Sequence, residues 1–169
     1  SAAALAGFRS AGVTRLSVGA QSFDDRFLAR LGRIHRAVDT VRLLSEARAA
    51  GFDNIGLDLI FALPGQTPAD WRSDLQTAVS LRPDHVSTYN LQIEDGTPLA
   101  AERAASPAAL DLPGEDAEAA MFGEAISLLR AAGYRHYEIS NFARPGRECR
   151  HNVAYWSGGE WLGIGAAAH

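Results

Sequence analysis

Residues 51–67 read GFDNIGLDLIFALPGQT, and how this run is taken decides the fold. It follows the Arg/Ala-rich end of a helix, opens on Gly51, and passes at once into a strand of Ile and Leu. Glycine supplies the left-handed residue that closes a helix before the chain turns back. The same unit occurs twice more, as FRSAGVTRLSVGAQ (8–21) around Gly12 and LRAAGYRHYEIS (129–140) around Gly133. LRPDHVSTYNLQI (81–93) adds a further strand, entered through Pro83. Helix and strand in this alternation predict an α/β fold, a parallel sheet with right-handed crossovers.

The helices carry their own punctuation. In TPADW (67–71) Thr67 is placed as an N-cap, Pro68 at the first helical position and Asp70 three residues after the cap. Trp71, Leu75, Ala78 and Val79 follow at helical spacing, and Val38, Val41, Leu44 and Ala47 give the preceding helix its expected buried stripe. DDRFLARLG (24–32) reads as a short helix and EDAEAAMFGEAISLLRAAG (115–133) as the longest, with a surface loop expected over 98–114.

The chain has 169 residues, 47% hydrophobic and 21% charged, with a net charge of −4. That mix is globular, and the negative balance argues against a nucleic-acid partner, which needs a basic face. Nothing reads as a signal peptide or a membrane span, and the single cysteine excludes an internal disulfide framework, so the expected compartment is the cytoplasm. One cysteine also excludes a four-cysteine metal site built from this chain alone. A parallel sheet with nothing beside its first strand leaves an edge unpaired. The expectation is one domain over residues 1–169, forming the later part of a larger barrel.

In parallel α/β barrels the chemistry sits at the carboxyl ends of the strands. Those ends offer Gln21 and Ser22, then Tyr89, Asn90, Gln92 and Glu94, then Tyr137, Glu138, Ser140 and Asn141. Asp58 stands inside an apolar strand, where a carboxylate is costly unless it is paired or hydrogen-bonded. Two readings remain open for it: a ligand contact, or a structural carboxylate holding a neighbouring loop. Arg33, after the short helix, has a guanidinium suited to a ligand carboxylate, with surface arginine as the plain alternative. The closing GIGAAA (163–168) is not a dinucleotide fingerprint, because no helix and no acidic partner follow it.

Taken together, GVTRLSVGAQSFDDRFLARLGRIH (12–35), GFDNIGLDLIFALPGQT (51–67), GYRHYEISNFARPGRECRHNVAYW (133–156) and LGIGAAAH (162–169) resemble the radical S-adenosylmethionine proteins of the coproporphyrinogen-oxidase-like group, above all its haem chaperone branch. The resemblance implies the C-terminal portion of a partial (β/α)6 barrel with a mainly parallel sheet. It implies a [4Fe–4S] cluster held by three cysteines, with S-adenosylmethionine chelating the fourth iron. On the matching positions, Gln21, Arg33 and Asp58 contact S-adenosylmethionine, while chain near Gln92 and the closing GIGAAAH line the same cavity. The cysteine triad is not in this sequence, so the cluster ligands are expected outside it and the chain alone is expected to be inactive.

HNVAYW (151–156) matches the HNxxYW pattern of the haem chaperone branch. By that resemblance His151 is an axial ligand to haem iron, Tyr155 and Trp156 present flat surface to the porphyrin, and Asn152 supplies an orienting hydrogen bond. Arg147 and Arg150 are candidates for the propionates. The partners implied are haem or a porphyrin and a haem-acceptor protein. A second function, radical decarboxylation of coproporphyrinogen III, stands beside haem transfer, and the HNVAYW signature favours transfer.

Overall fold

The structure is a computed structural model, and it describes residues 1–106 and 110–163. The elements run α1 (Ala2–Ser10), β1 (Leu16–Gln21), α2 (Asp25–Arg30), α3 (Ala37–Ala49), β2 (Ile55–Phe61), α4 (Pro68–Ser80) and β3 (His85–Asn90). They continue with α5 (Pro98–Ala105), α6 (Glu115–Ala131), β4 (Arg135–His136), β5 (Asn141–Ala143) and α7 (Arg150–Trp156). The sheet order is β1-β2-β3-β5-β4. β1, β2 and β3 are parallel neighbours, and β5 runs antiparallel to both β3 and β4. The fold is the mainly parallel α/β sheet of a partial barrel.

The three glycines that punctuate the repeated unit do what the sequence requires of them. Gly12, Gly51 and Gly133 have φ of 90°, 87° and 88°, a region closed to most side chains. α4 starts with the expected capping box, Thr67 and Asp70 each satisfying the other's backbone N–H.

Along β2 the side chains alternate. Leu57, Leu59 and Phe61 are buried against the helices, while Asp58 and Ile60 occupy the opposite face. Trp71, Leu75 and Ala78 of α4 pack on the apolar face, and the Trp71 indole N–H donates to the Met121 carbonyl of α6 at 2.8 Å. Phe61 lies between the rings of Trp71 and Phe122, with centroids 5.4 and 6.3 Å away.

Three expectations are corrected. α3 buries Thr40, Leu44 and Ala47, whereas Val38 and Val41 are 63% and 40% exposed. The contiguous buried stripe passes through the small hydroxyl of Thr40, not through the valines. The stretch after Thr97 is a helix rather than a loop: the Thr97 hydroxyl caps Ala100 N–H, Pro98 takes the first position, and Glu102 receives a two-pronged ion pair from Arg30 of α2 at 2.8 and 2.6 Å. The strand after Gly133 is only two residues long and turns back as a hairpin, which inserts β5 beside β3.

Candidate functional site

The face of the sheet turned from the helices collects polar groups. Strand alternation puts Ser17, Gly56, Asp58, His85 and Ser87 on it, in register through the pairs Ser17↔Gly56 and Asp58↔Ser87. The Asp58 carboxylate is half-buried and accepts hydrogen bonds from the Ser17 hydroxyl at 3.0 and 3.1 Å and the Ser87 hydroxyl at 2.8 Å. Three protein contacts leave a carboxylate with spare acceptor capacity, so its geometry suits a ligand hydroxyl or ammonium.

Gln21 ends β1 with φ of 65°, unusual for a residue with a side chain, at a break of register between Gly19 and Gln21. Its side chain folds back over Gly19, where an added Cβ would stand 2.7 Å from the Gln21 amide nitrogen. Gly19 pairs with Asp58, so the missing side chain at 19 is what lets the amide lie beside the carboxylate strand. The following residues are fixed by α4: the Asp74 carboxylate accepts from the Ser22 hydroxyl and the Phe23 N–H, both at 2.7 Å. Burial raises the Asp74 carboxyl to about 6, against the lowering effect of those two donors.

The loop after α2 returns to β1 through His35, whose ring nitrogen lies 3.3 Å from the Ala20 carbonyl. Arg33 is exposed on that loop, with no ion pair among the described residues. Gln92, also exposed, lines a cleft of about 470 Å³ with Ile60, Tyr89 and Ser140 at the carboxyl ends of β2 and β3. A second cleft of about 440 Å³ runs along β1, lined by Leu5, Phe8, Ser17, Gly19, His35 and Leu43.

The other group is built on α7. His85 of β3 is 2% exposed, and its Nε2 lies 2.8 Å from the Tyr137 hydroxyl. That hydroxyl accepts from the Cys149 N–H at 3.2 Å and the Asn152 amide at 3.3 Å. One residue on, Glu138 accepts from the Trp156 indole N–H at 3.1 Å and the Ser140 N–H at 3.1 Å. The helix of HNVAYW is therefore tethered on the face that carries Asp58.

Its His151 and Tyr155 side chains are exposed. The His151 ring makes an edge contact with Trp161 at 6.3 Å, and Tyr155 another with Trp156 at 5.8 Å. Arg147 is paired with Asp53 at 3.5 Å and Arg150 is exposed. Residues 164–169, and with them most of GIGAAAH, lie outside the described residues.

An accessible imidazole beside exposed aromatic faces fits an iron porphyrin. An iron–sulfur cluster does not fit this chain: its one cysteine, Cys149, is half-buried, and among the described residues no group of three His, Cys, Asp or Glu is placed to hold a metal ion.

Ser17, Ser87, His85 and Asp74 were not singled out from sequence. A signal existed for three of them: HVSTYN alternates His85, Ser87 and Tyr89 with Val, Thr and Asn, and Asp74 falls between Trp71 and Leu75 on a buried helical stripe.

Comparison with known proteins agrees with this geometry. Residues 2–78 match the Radical SAM superfamily, and the resemblance to its coproporphyrinogen-oxidase-like group holds. It is 42% identical over 161 residues to the heme chaperone HemW of Bacillus subtilis, covering 95% of this chain and 42% of the relative. It is 45% identical over 165 residues to the mitochondrial radical S-adenosyl methionine domain-containing protein 1 of Mus musculus, covering 98% of this chain and 37% of the relative. Among solved structures it is similar to coproporphyrinogen III oxidase (HemN) from Escherichia coli, a radical SAM enzyme. The TM-score is 0.75 at 31% identity, over 94% of this chain and 35% of that one. The chain thus spans about two-fifths of the length of these relatives.

Proposed function

We propose that this chain supplies the later strands of an S-adenosylmethionine cavity and the haem-contacting helix of a radical SAM protein that carries haem to an acceptor protein. The observation that supports this best is the tethering of α7, with His151 and Tyr155 outward, on the sheet face that holds Asp58. In this reading Gln21, Asp58 and Gln92 take the amine and hydroxyl groups of S-adenosylmethionine, and Arg33 its carboxylate. When bound, S-adenosylmethionine and a [4Fe–4S] cluster ligated from outside this chain supply radical and redox chemistry. The residues here bind and orient. His151 offers its imidazole to haem iron, with Tyr155 against the porphyrin plane.

The test is a haem titration of the full-length protein and its His151→Ala variant. Loss or displacement of the Soret band in the variant is expected, and an unchanged band ends the reading. The second reading, decarboxylation of coproporphyrinogen III, draws on the likeness to the E. coli oxidase at TM-score 0.75. Anaerobic assay of porphyrinogen decarboxylation separates the two, since clear turnover removes the carrier reading. Among the described residues no helix is long and apolar enough to cross a membrane.

A further inference from the structure

We infer that Tyr137 and Glu138 are positioning residues for the haem-facing helix, and that HNVAYW divides into two anchors, Asn152 and Trp156, and two ligand-facing residues, His151 and Tyr155. This rests on the proposed haem binding at α7. Residues four apart share one face of a helix, and the motif contains two such pairs side by side. The pair Asn152 and Trp156 is bonded to the consecutive hairpin residues Tyr137 and Glu138, at 3.3 and 3.1 Å. The pair His151 and Tyr155 makes no side-chain hydrogen bond among the described residues, and both are exposed.

The hooks matter because, among the described residues, α7 has little else to hold it. It has seven residues, far short of the length at which an isolated helix is stable, and none of them is buried. Apolar packing therefore contributes little, and two polar ties one turn apart set both its tilt and its roll. The Tyr137 hydroxyl is the stronger of the two. It accepts two N–H groups, so its own proton goes to His85 Nε2, and the hub is fixed to β3. Asn152, assigned to haem by resemblance, has its amide engaged in this hub.

The experiment titrates ferric haem into the full-length protein and its variants, reading affinity and the position and width of the Soret band, with unfolding midpoints as a folding check. Tyr137→Phe and Asn152→Ala are each expected to weaken haem about fivefold and broaden the band, the effect of a lost hydrogen bond. The double variant is expected to be no weaker than either single one, because both remove the same tie. Trp156→Phe keeps an aromatic face but loses the N–H, and is expected to behave like Tyr137→Phe.

Additive losses in the double variant overturn the inference, since Asn152 then acts on haem itself. Wild-type behaviour of Trp156→Phe also overturns it, and that exposed site keeps the test open if Tyr137→Phe fails to fold. Retention of the band in His151→Ala removes the haem reading and this inference together. Loss of the band there, combined with additive losses, removes this inference alone.

Discussion

Replacing Asp74 with asparagine is expected to stabilise the protein at neutral pH and to leave it unchanged in acid. Asp74 is 3% exposed on α4, and burial raises its carboxyl from 3.8 to about 6. At about 1.36 kcal/mol per unit, keeping it ionised when folded costs about 3 kcal/mol. The folded pKa is raised, so the stability is fully present below pH 3.8 and is lost as pH rises through 6. Asparagine mimics the protonated acid: its oxygen accepts the Phe23 N–H, and its amide donates to the Ser22 hydroxyl.

His85 works in the opposite sense. Burial, and secondarily Arg15, push it down to about 3, so its contribution is complete above pH 6.5 and is lost as pH falls towards 3. Between pH 6 and 4 the two groups nearly cancel in the parent protein. Urea unfolding across pH 4–8 should therefore show a shallow profile for the parent and a steep one for Asp74→Asn. The variant should gain about 3 kcal/mol above pH 6.5 and nothing near pH 3.8. A variant less stable than the parent at pH 7.5 refutes the reasoning, as does a difference independent of pH.

Gly19→Ala is expected to cost little stability, because the atom it meets is the free end of the Gln21 side chain at 2.7 Å. It displaces that amide, so calorimetry on the full-length protein should show S-adenosylmethionine bound about tenfold more weakly with an unfolding midpoint near the parent's. Asp58→Asn removes the charge that Ser17 and Ser87 serve, and the same titration should lose affinity by about ten- to a hundredfold, the range for a charge-assisted contact. An unchanged affinity in Asp58→Asn returns that residue to its structural reading.

Local rules read the framework well because the residues that decide it act on their neighbours. Gly12, Gly51 and Gly133 need only a left-handed backbone, and Thr67, Pro68 and Asp70 act within a single turn. The same rule missed α5, although Thr97 and Pro98 repeat the Thr-Pro start of α4, because the Ala- and Pro-rich stretch after them masks the helical period. The hairpin after Gly133 was illegible for another reason. Its residues alternate like those of a strand, and only the pairing of β5 against β3 shows where the chain turns. Asp58 and HNVAYW were visible as residues, but their hydrogen-bond partners on other elements lie 15 to 41 residues away in sequence, beyond the reach of spacing arguments.

β3 is where the two candidate sites meet. Ser87 reaches Asp58 and His85 reaches Tyr137 from alternate positions of one strand face. A charged His85 cannot serve there: both ring nitrogens would carry protons, and Nε2–H would point at a Tyr137 oxygen that already accepts two N–H groups. Burial and the nearby Arg15 hold the ring neutral far below physiological pH, which keeps the Tyr137 proton on the His85 side and leaves the oxygen lone pairs for α7. The anchoring of the HNVAYW helix thus depends on the apolar setting of a histidine at the start of β3, two residues from the serine that orients Asp58.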